Sequence, residues 1–298
     1  MSAMLQPRKP LLALSMSLVL PGFGQLYNGE PNRAIWFFLA YLALGLPAIV
    51  AIALYIPSAL MLGALLLSTC LVVALWIYGM VDAWLRARRQ PDFLPRAWQT
   101  SGLYALVLIV GALVVQPALK SYVGAHEVES FRLPSSSMEP TLLHGDVIFA
   151  DKRYNCPNCK SAVQRGDVAI FTYPNDRTLY YVKRIIGLPG ERVQIRGRDI
   201  LVDGRSLTIG TDRELVDEGD ALRHWQVTWP AQDPSVPDVD LTVPAGEVYV
   251  LGDNRGHSID SRRFGTVPLS DVVGRVRQVW FSRADTGIRW RRLGKVIE

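Results

Sequence analysis

Cysteine and histidine are scarce in this 298-residue chain, with three of the former and four of the latter. No HExxH, GxSxG, glycine-rich phosphate loop or heptad run occurs, so zinc-protease, α/β-hydrolase, P-loop and coiled-coil readings have no footing. Cys70 lies in an apolar run, leaving Cys156 and Cys159, in YNCPNCK, as the one pair close in sequence. A four-ligand zinc site would need a second such pair, and no metal or cofactor is expected. Three readings of the pair stay open: a small-loop disulfide, a reduced or metal-linked pair, or a redox site. The last would require the pair to open a helix, whereas Asn155 and Pro157 indicate a loop. Surplus charge is missing from the C-terminal part as well: residues 121–298 hold 24 basic and 24 acidic side chains, against 8 and 3 in residues 1–120. The net charge of +5 therefore belongs to the N-terminal part. A neutral C-terminal part offers no electrostatic footprint for nucleic acid, despite a pI near 9.2.

Apolar residues are abundant instead. They make up 49% of the chain, and the mean hydropathy is +0.16, too high for one ordinary soluble domain. Residues 34–56, 58–81 and 102–119 are long enough to cross a bilayer, which takes about 20 apolar residues. The loop at 84–100, WLRARRQPDFLPRAWQT, carries Arg86, Arg88, Arg89 and Arg96 with two tryptophans, and the positive-inside bias places it in the cytoplasm. One crossing later, residues 120–298 lie outside. By parity, residues 1–33 start inside. A full span over residues 11–27 would carry Arg8 and Lys9 outside, whereas a re-entrant or interfacial segment broken at Pro21, Gly22 and Gly24 keeps them in. A cleavable leader has no clean small-x-small end there. PGFGQLYNG, residues 21–29, resembles a motif of small polytopic membrane proteins.

Beyond the membrane the periodicity changes to short runs rich in β-branched and aromatic residues, punctuated by Gly, Pro and Asp. The spacing predicts strands over 146–150, 168–173, 179–186, 192–195, 199–202, 225–228 and 248–251. Residues 212–243, polar and proline-containing, read as an insertion or long loop.

Three blocks carry chemistry: LPSSSMEPTL (133–142), YVKRIIGLPGE (181–191) and GDNRGHSIDSRRFGTVP (252–268). Read alone, three serines before a Glu-Pro turn fit a solvated loop or a helix cap. A serine hydroxyl becomes a competent nucleophile only when a base takes its proton, and the usual base is histidine. Lysine can replace it if burial lowers its pKa from about 10.4. Lys183, set among Tyr180, Tyr181, Val182, Ile185 and Ile186 on a predicted strand, has such surroundings. Taken alone it would be an outward-facing strand lysine.

With Gly145-Asp146 and Arg165-Gly166-Asp167 between them, these blocks stand in the order and spacing of the bacterial type I signal peptidases, the membrane-bound Ser-Lys proteases. The resemblance covers roughly residues 131–276, with a faint middle. It implies a multi-span α-helical membrane region followed by a mostly β extracytoplasmic catalytic domain of the signal peptidase type. It also implies Ser137 as nucleophile, Lys183 as general base, Ser135 as oxyanion donor and Ser258 as the residue orienting the lysine. Asp260 and Arg262 are implied as supports, with Asp253 and Arg184 beside them. On an extended segment, Ser258, Asp260 and Arg262 would share one face. Gly256 and His257 depart from the common GDNRDNSxDSR, Glu139 brings a carboxylate near the nucleophile, and the number of spans exceeds the usual one or two.

The resemblance further implies removal of signal peptides from secretory preproteins after small-x-small residues, at a bacterial cytoplasmic membrane. Membrane lipid and the export machinery are the expected neighbours, and the large insertion favours a periplasmic site. Two other readings stay open. One is a Ser-Lys protease dedicated to a single pilus or transfer-system precursor; the other is a non-catalytic membrane-anchored β-domain that binds such peptides.

Overall fold

Proline and glycine divide the N-terminal part of the chain into helices. A computed structural model describes residues 7–56, 58–155, 162–212, 214–221, 223–230 and 238–297. Cys156 and Cys159 therefore lie outside the described residues. The chain forms two compact units, residues 1–123 and 124–298.

In the first unit, α1 (Pro10–Val19) and α2 (Phe23–Tyr27) are separated at Pro21-Gly22, where Gly22 adopts φ 89°. A ten-residue helix rises only about 15 Å, half of a hydrocarbon core. Then come α3 (Pro31–Leu44) and α4 (Leu46–Tyr55), broken at Gly45 because Pro47 has no N–H to continue the ladder. The 31-residue α5 (Ser58–Arg88) follows. The next helix comprises α6 (Ser101–Leu108), a π-helical stretch (Ile109–Val115) and α7 (Gln116–His126). Thr100 caps it, its hydroxyl accepting from Leu103 N–H at 3.2 Å. Three helical stretches, Pro31–Tyr55, Leu60–Arg88 and Ser101–His126, are long and apolar enough to cross a membrane. The expected loop at 84–100 starts later than the sequence indicates: α5 runs on to Arg88, and Arg86 pairs within its last turns with Asp82 (2.9 Å) and with Glu30 (2.8 Å).

Small residues let α1, α2 and α5 meet closely. A Cβ on Gly24 would lie 2.2 Å from the Ala13 carbonyl oxygen and 2.8 Å from Ala83 Cβ. Gln25, fully buried, donates to the Gly79 carbonyl at 2.7 Å and to Asp82 Oδ2 at 3.1 Å, while Asn28 donates to the Ala83 carbonyl at 2.8 Å. PGFGQLYNG is thus a packing motif, its glycines permitting contact and its amides satisfying α5 carbonyls.

The second unit is antiparallel β. Its strands are β1 (Val128–Arg132), β2 (Asp146–Asp151), β3 (Val168–Thr172), β4 (Tyr180–Gly187), β5 (Arg192–Arg196), β6 (Asp199–Val202), β7 (Arg205–Ser206) and β8 (Thr208–Asp212). They continue with β9 (Leu215–Gly219), β10 (His224–Thr228), β11 (Val239–Thr242), β12 (Glu247–Leu251), β13 (Val267–Pro268), β14 (Val272–Ala284), β15 (Gly287–Ile288) and β16 (Lys295–Val296). The main sheet runs β1-β2-β14-β3-β4-β12-β13, with β15 and β16 also on β14. Two smaller sheets, β10-β9-β8 and β11-β5-β6-β7, complete it.

Two parts of this unit differ from the sequence reading. The longest strand, β14, was not expected, although it joins β2 to β3; register shifts at Val276/Gln278 and Val279/Phe281 interrupt its alternation. The polar stretch 212–243 is not simply an insertion loop, since it supplies β9, β10 and β11. Val216, Trp225, Val227 and Trp229 turn inward to a core with Ile186, Val193 and Tyr249. The outer face of such a sheet is solvated, and that polar half of the pattern hid β9 and β11, whereas β10 is the strand expected at 225–228.

Candidate active site

Each of the three chemistry-bearing blocks is placed by a different element. Ser137 lies in the turn that follows β1, held down by buried Leu133, Met138 and Leu142. Lys183 is in the middle of β4, opposite Ala169 of β3. Residues 252–260 link β12 to α8 (Ser261–Phe264) by way of a 3-10 turn at Arg255–His257.

These elements bring Lys183 Nζ to 2.7 Å from Ser137 Oγ. Lys183 is only 3% exposed. Burial, above all, disfavours its ammonium form; Arg262 acts in the same sense, Asp260 and Asp253 in the opposite one, and the net result is a pKa lowered to about 8. Ser135 Oγ stands 3.3 Å from Ser137 Oγ. The arrangement can remove a proton from a serine hydroxyl and offer a second hydroxyl to an incipient oxyanion.

Asp260 is fully buried. It accepts from Arg262 Nε and Nη2, both at 2.8 Å, and from Gly252 N–H at 3.0 Å. Burial raises its pKa, but the Arg262 guanidinium and the Gly252 N–H outweigh this and bring it below the ordinary carboxylate value. Asp260 is also the N-cap of α8, so Arg262 is helical and folds back onto its own cap. The expected single face of an extended segment therefore does not form, although Asp260 and Arg262 do meet.

Ser258 is a further difference. Its buried hydroxyl makes no hydrogen bond to Lys183; it faces Asp260 and helps to lower that carboxyl's pKa. It lies against Gly252, where a Cβ would be 2.1 Å from Ser258 Oγ and 2.6 Å from the Ser137 carbonyl oxygen. Asp253 and Arg184 form a buried bidentate pair at 2.9 and 2.7 Å, joined by the Thr141 hydroxyl at 2.5 Å. Arg184 also donates to the Gly166 carbonyl at 2.6 Å, tying the RGD turn to β4.

Asn254 had drawn no notice in the sequence. Its backbone N–H donates to the Ser137 carbonyl at 3.1 Å, and its side-chain amide donates to the Ser136 carbonyl at 3.2 Å. Its place in the GDN triplet was the available signal. A cleft of about 590 Å³ opens beside the serine and lysine, walled mainly by apolar side chains including Leu133, Met138, Ile170, Tyr181 and Val182, with Arg132 and His257 also lining it. Glu139 does not line it. Among the described residues no group of three His, Cys, Asp or Glu side chains is placed to hold a metal ion.

The family model "Signal peptidase, peptidase S26" matches residues 103–281, which contain every one of these side chains. The chain belongs to the peptidase S26 signal peptidase family. Helices α1 to α5 lie outside the match. Signal peptidase I of Pseudomonas fluorescens is 33% identical over 185 residues, covering 52% of this chain and 65% of that protein. Signal peptidase I of Rickettsia prowazekii is 29% identical over 229 residues, covering 64% and 82%. The chain thus spans just under two thirds of the length of the Pseudomonas relative. A signal peptidase I crystal structure from Enterococcus faecalis V583 has 30% identity, covering 39% of this chain and 97% of that one, at a TM-score of 0.28.

Proposed function

We propose that this chain is a membrane-bound endopeptidase that removes N-terminal signal peptides from exported preproteins, with Ser137 as nucleophile and Lys183 as general base. The observation that carries the reading is the 2.7 Å contact between a buried lysine and a serine hydroxyl at the edge of an apolar cleft. Near pH 8 about half of Lys183 is neutral, enough to accept the Ser137 proton as Oγ attacks the scissile carbonyl carbon. The carbonyl oxygen gains negative charge and accepts from the Ser137 N–H and the Ser135 hydroxyl. The Lys183 ammonium then gives its proton to the departing amine. The mature protein leaves with a free N-terminus, and the signal peptide stays as an ester on Ser137. Lys183, neutral again, takes a proton from water, whose oxygen attacks the ester; the serine regains its proton and the signal peptide leaves as a carboxylate.

Asp260, Arg262, Asp253, Arg184 and Asn254 hold the loop that carries the nucleophile's hydrogen-bond partners. The apolar cleft favours an extended segment with small side chains, the reason to expect cleavage after small-x-small. The helices Pro31–Tyr55, Leu60–Arg88 and Ser101–His126 cross a bacterial cytoplasmic membrane and face its lipid, with Arg86 and Arg88 at the end of the second helix and the 89–100 connection inside and residues 127–298 outside, on the periplasmic side. Residues 10–27 stay at the inner interface.

Purified protein in detergent is to be given a labelled precursor, alongside Ser137→Ala and Lys183→Ala. Cleavage by wild type after small-x-small and by neither variant is the expected result. Cleavage by Ser137→Ala at the wild-type rate would remove the serine from the mechanism.

A further inference from the structure

We infer that Glu218, on the sheet that the sequence presents as an insertion, is a positioning residue for the nucleophile, acting through Arg255. The inference rests on the proposed Ser137–Lys183 chemistry and extends it to a part of the fold outside the three chemistry-bearing blocks.

Glu218 of β9 and Arg255 of the 252–260 loop are both fully buried side chains, paired at 2.6 Å. Glu218 Oε2 also accepts from Trp225 Nε1 at 3.1 Å, which anchors the carboxylate to the adjacent strand. Arg255 lies over the Trp229 ring, 5.0 Å from its centroid, and its Nε donates to the Gly252 carbonyl at 2.9 Å. Its own carbonyl accepts from Arg262 Nη2 at 2.7 Å. Arg255, next in the chain to Asn254, thus grips the loop at Gly252, where a Cβ would lie 2.6 Å from the Ser137 carbonyl oxygen; the Asn254 N–H donates to that same carbonyl at 3.1 Å. The same sheet holds the loop at a second point, Thr228 N–H donating to the Asp253 carbonyl at 2.8 Å.

The pair is ill suited to a purely stabilising role. Glu218 Oε1 and Arg255 Nη1 are buried without hydrogen-bond partners. Desolvation costs a buried ion pair much of its attraction, so apolar side chains of similar volume often serve stability as well or better. What an apolar pair could not do is aim a guanidinium at the Gly252 carbonyl. The reacting contact is between side chains on separate elements, and displacements of about 1 Å in such sites cost on the order of 100-fold in rate.

The test uses the full chain in detergent, reading kcat and KM on a labelled precursor together with the melting temperature. Glu218→Ala should lower kcat about 10- to 100-fold with KM within about twofold, and Glu218→Gln, which retains an acceptor for Arg255 and Trp225, should recover most of that loss. The double variant Glu218→Leu with Arg255→Met should regain the melting temperature but not kcat. A Glu218→Ala enzyme with wild-type kcat, or a double variant whose kcat returns with its melting temperature, would overturn the inference. Failure of the underlying reading looks different, since Ser137→Ala would then cut as fast as wild type; failure of this inference leaves Ser137→Ala inactive.

Discussion

The pH dependence of cleavage tests the assignment of the base, because it turns on the one protonation state that the chemistry needs. With Lys183 lowered to about 8, about a tenth of the molecules carry the neutral amine at pH 7 and about nine tenths at pH 9. The initial-rate kcat/KM on a labelled precursor should therefore rise about tenfold per pH unit below 8 and level off above it. Asp260 is the larger of the two charges that favour the ammonium, and Arg262 opposes it. Asp260→Asn removes the first and leaves the second without its carboxylate partner, so the limb should move to lower pH. Normalising each profile to its own plateau separates this displacement from any uniform loss of rate. A limb that stays in place or moves upward in Asp260→Asn would refute the electrostatic account. A wild-type limb near 10.5, the ordinary lysine value, would refute the claim that burial prepares the base.

Lys183→Met should abolish cleavage and raise the melting temperature at pH 7. The native pKa of about 8 lies below the unfolded value of 10.5, so the unfolded chain holds the proton more tightly, at a cost to folding of roughly 3 kcal/mol, complete below about pH 8. The cost disappears as pH rises from 8 to 10.5, and melting curves across that window should converge. Ser135→Ala should lower kcat about 100- to 1,000-fold if its hydroxyl meets the oxyanion, with the melting temperature little changed. Asp253→Ala strands the buried Arg184 guanidinium and should cost about 3 to 5 kcal/mol in chemical denaturation. Gly252→Ala, whose Cβ has no room beside Ser258 and the Ser137 carbonyl, should show a larger loss of kcat than of stability.

The division into an apolar N-terminal part and a β-rich remainder was written in hydropathy and charge, because membrane spans need long uninterrupted apolar runs. Seven of the strands were legible for a similar reason: short β-branched runs between Gly, Pro and Asp have few other uses. Ser137 and Lys183 were legible through the blocks around them, since a serine and a lysine have no local signature as a pair. Their 2.7 Å contact depends on a turn and a strand 46 residues apart in sequence, and only the sheet brings these together. Burial decided more. Whether Asp253–Arg184 was a surface pair or a buried one could not be read from spacing, and here burial both encloses that pair and lowers the pKa of Lys183. The strands β9, β11 and β14 stayed hidden, the first two because their solvated faces fill the stretch with polar residues, the last because its bulges shift the two-residue period. Glu218 was invisible for the most basic reason: nothing local distinguishes a solvated glutamate from one placed by long-range pairing behind the loop that holds the nucleophile.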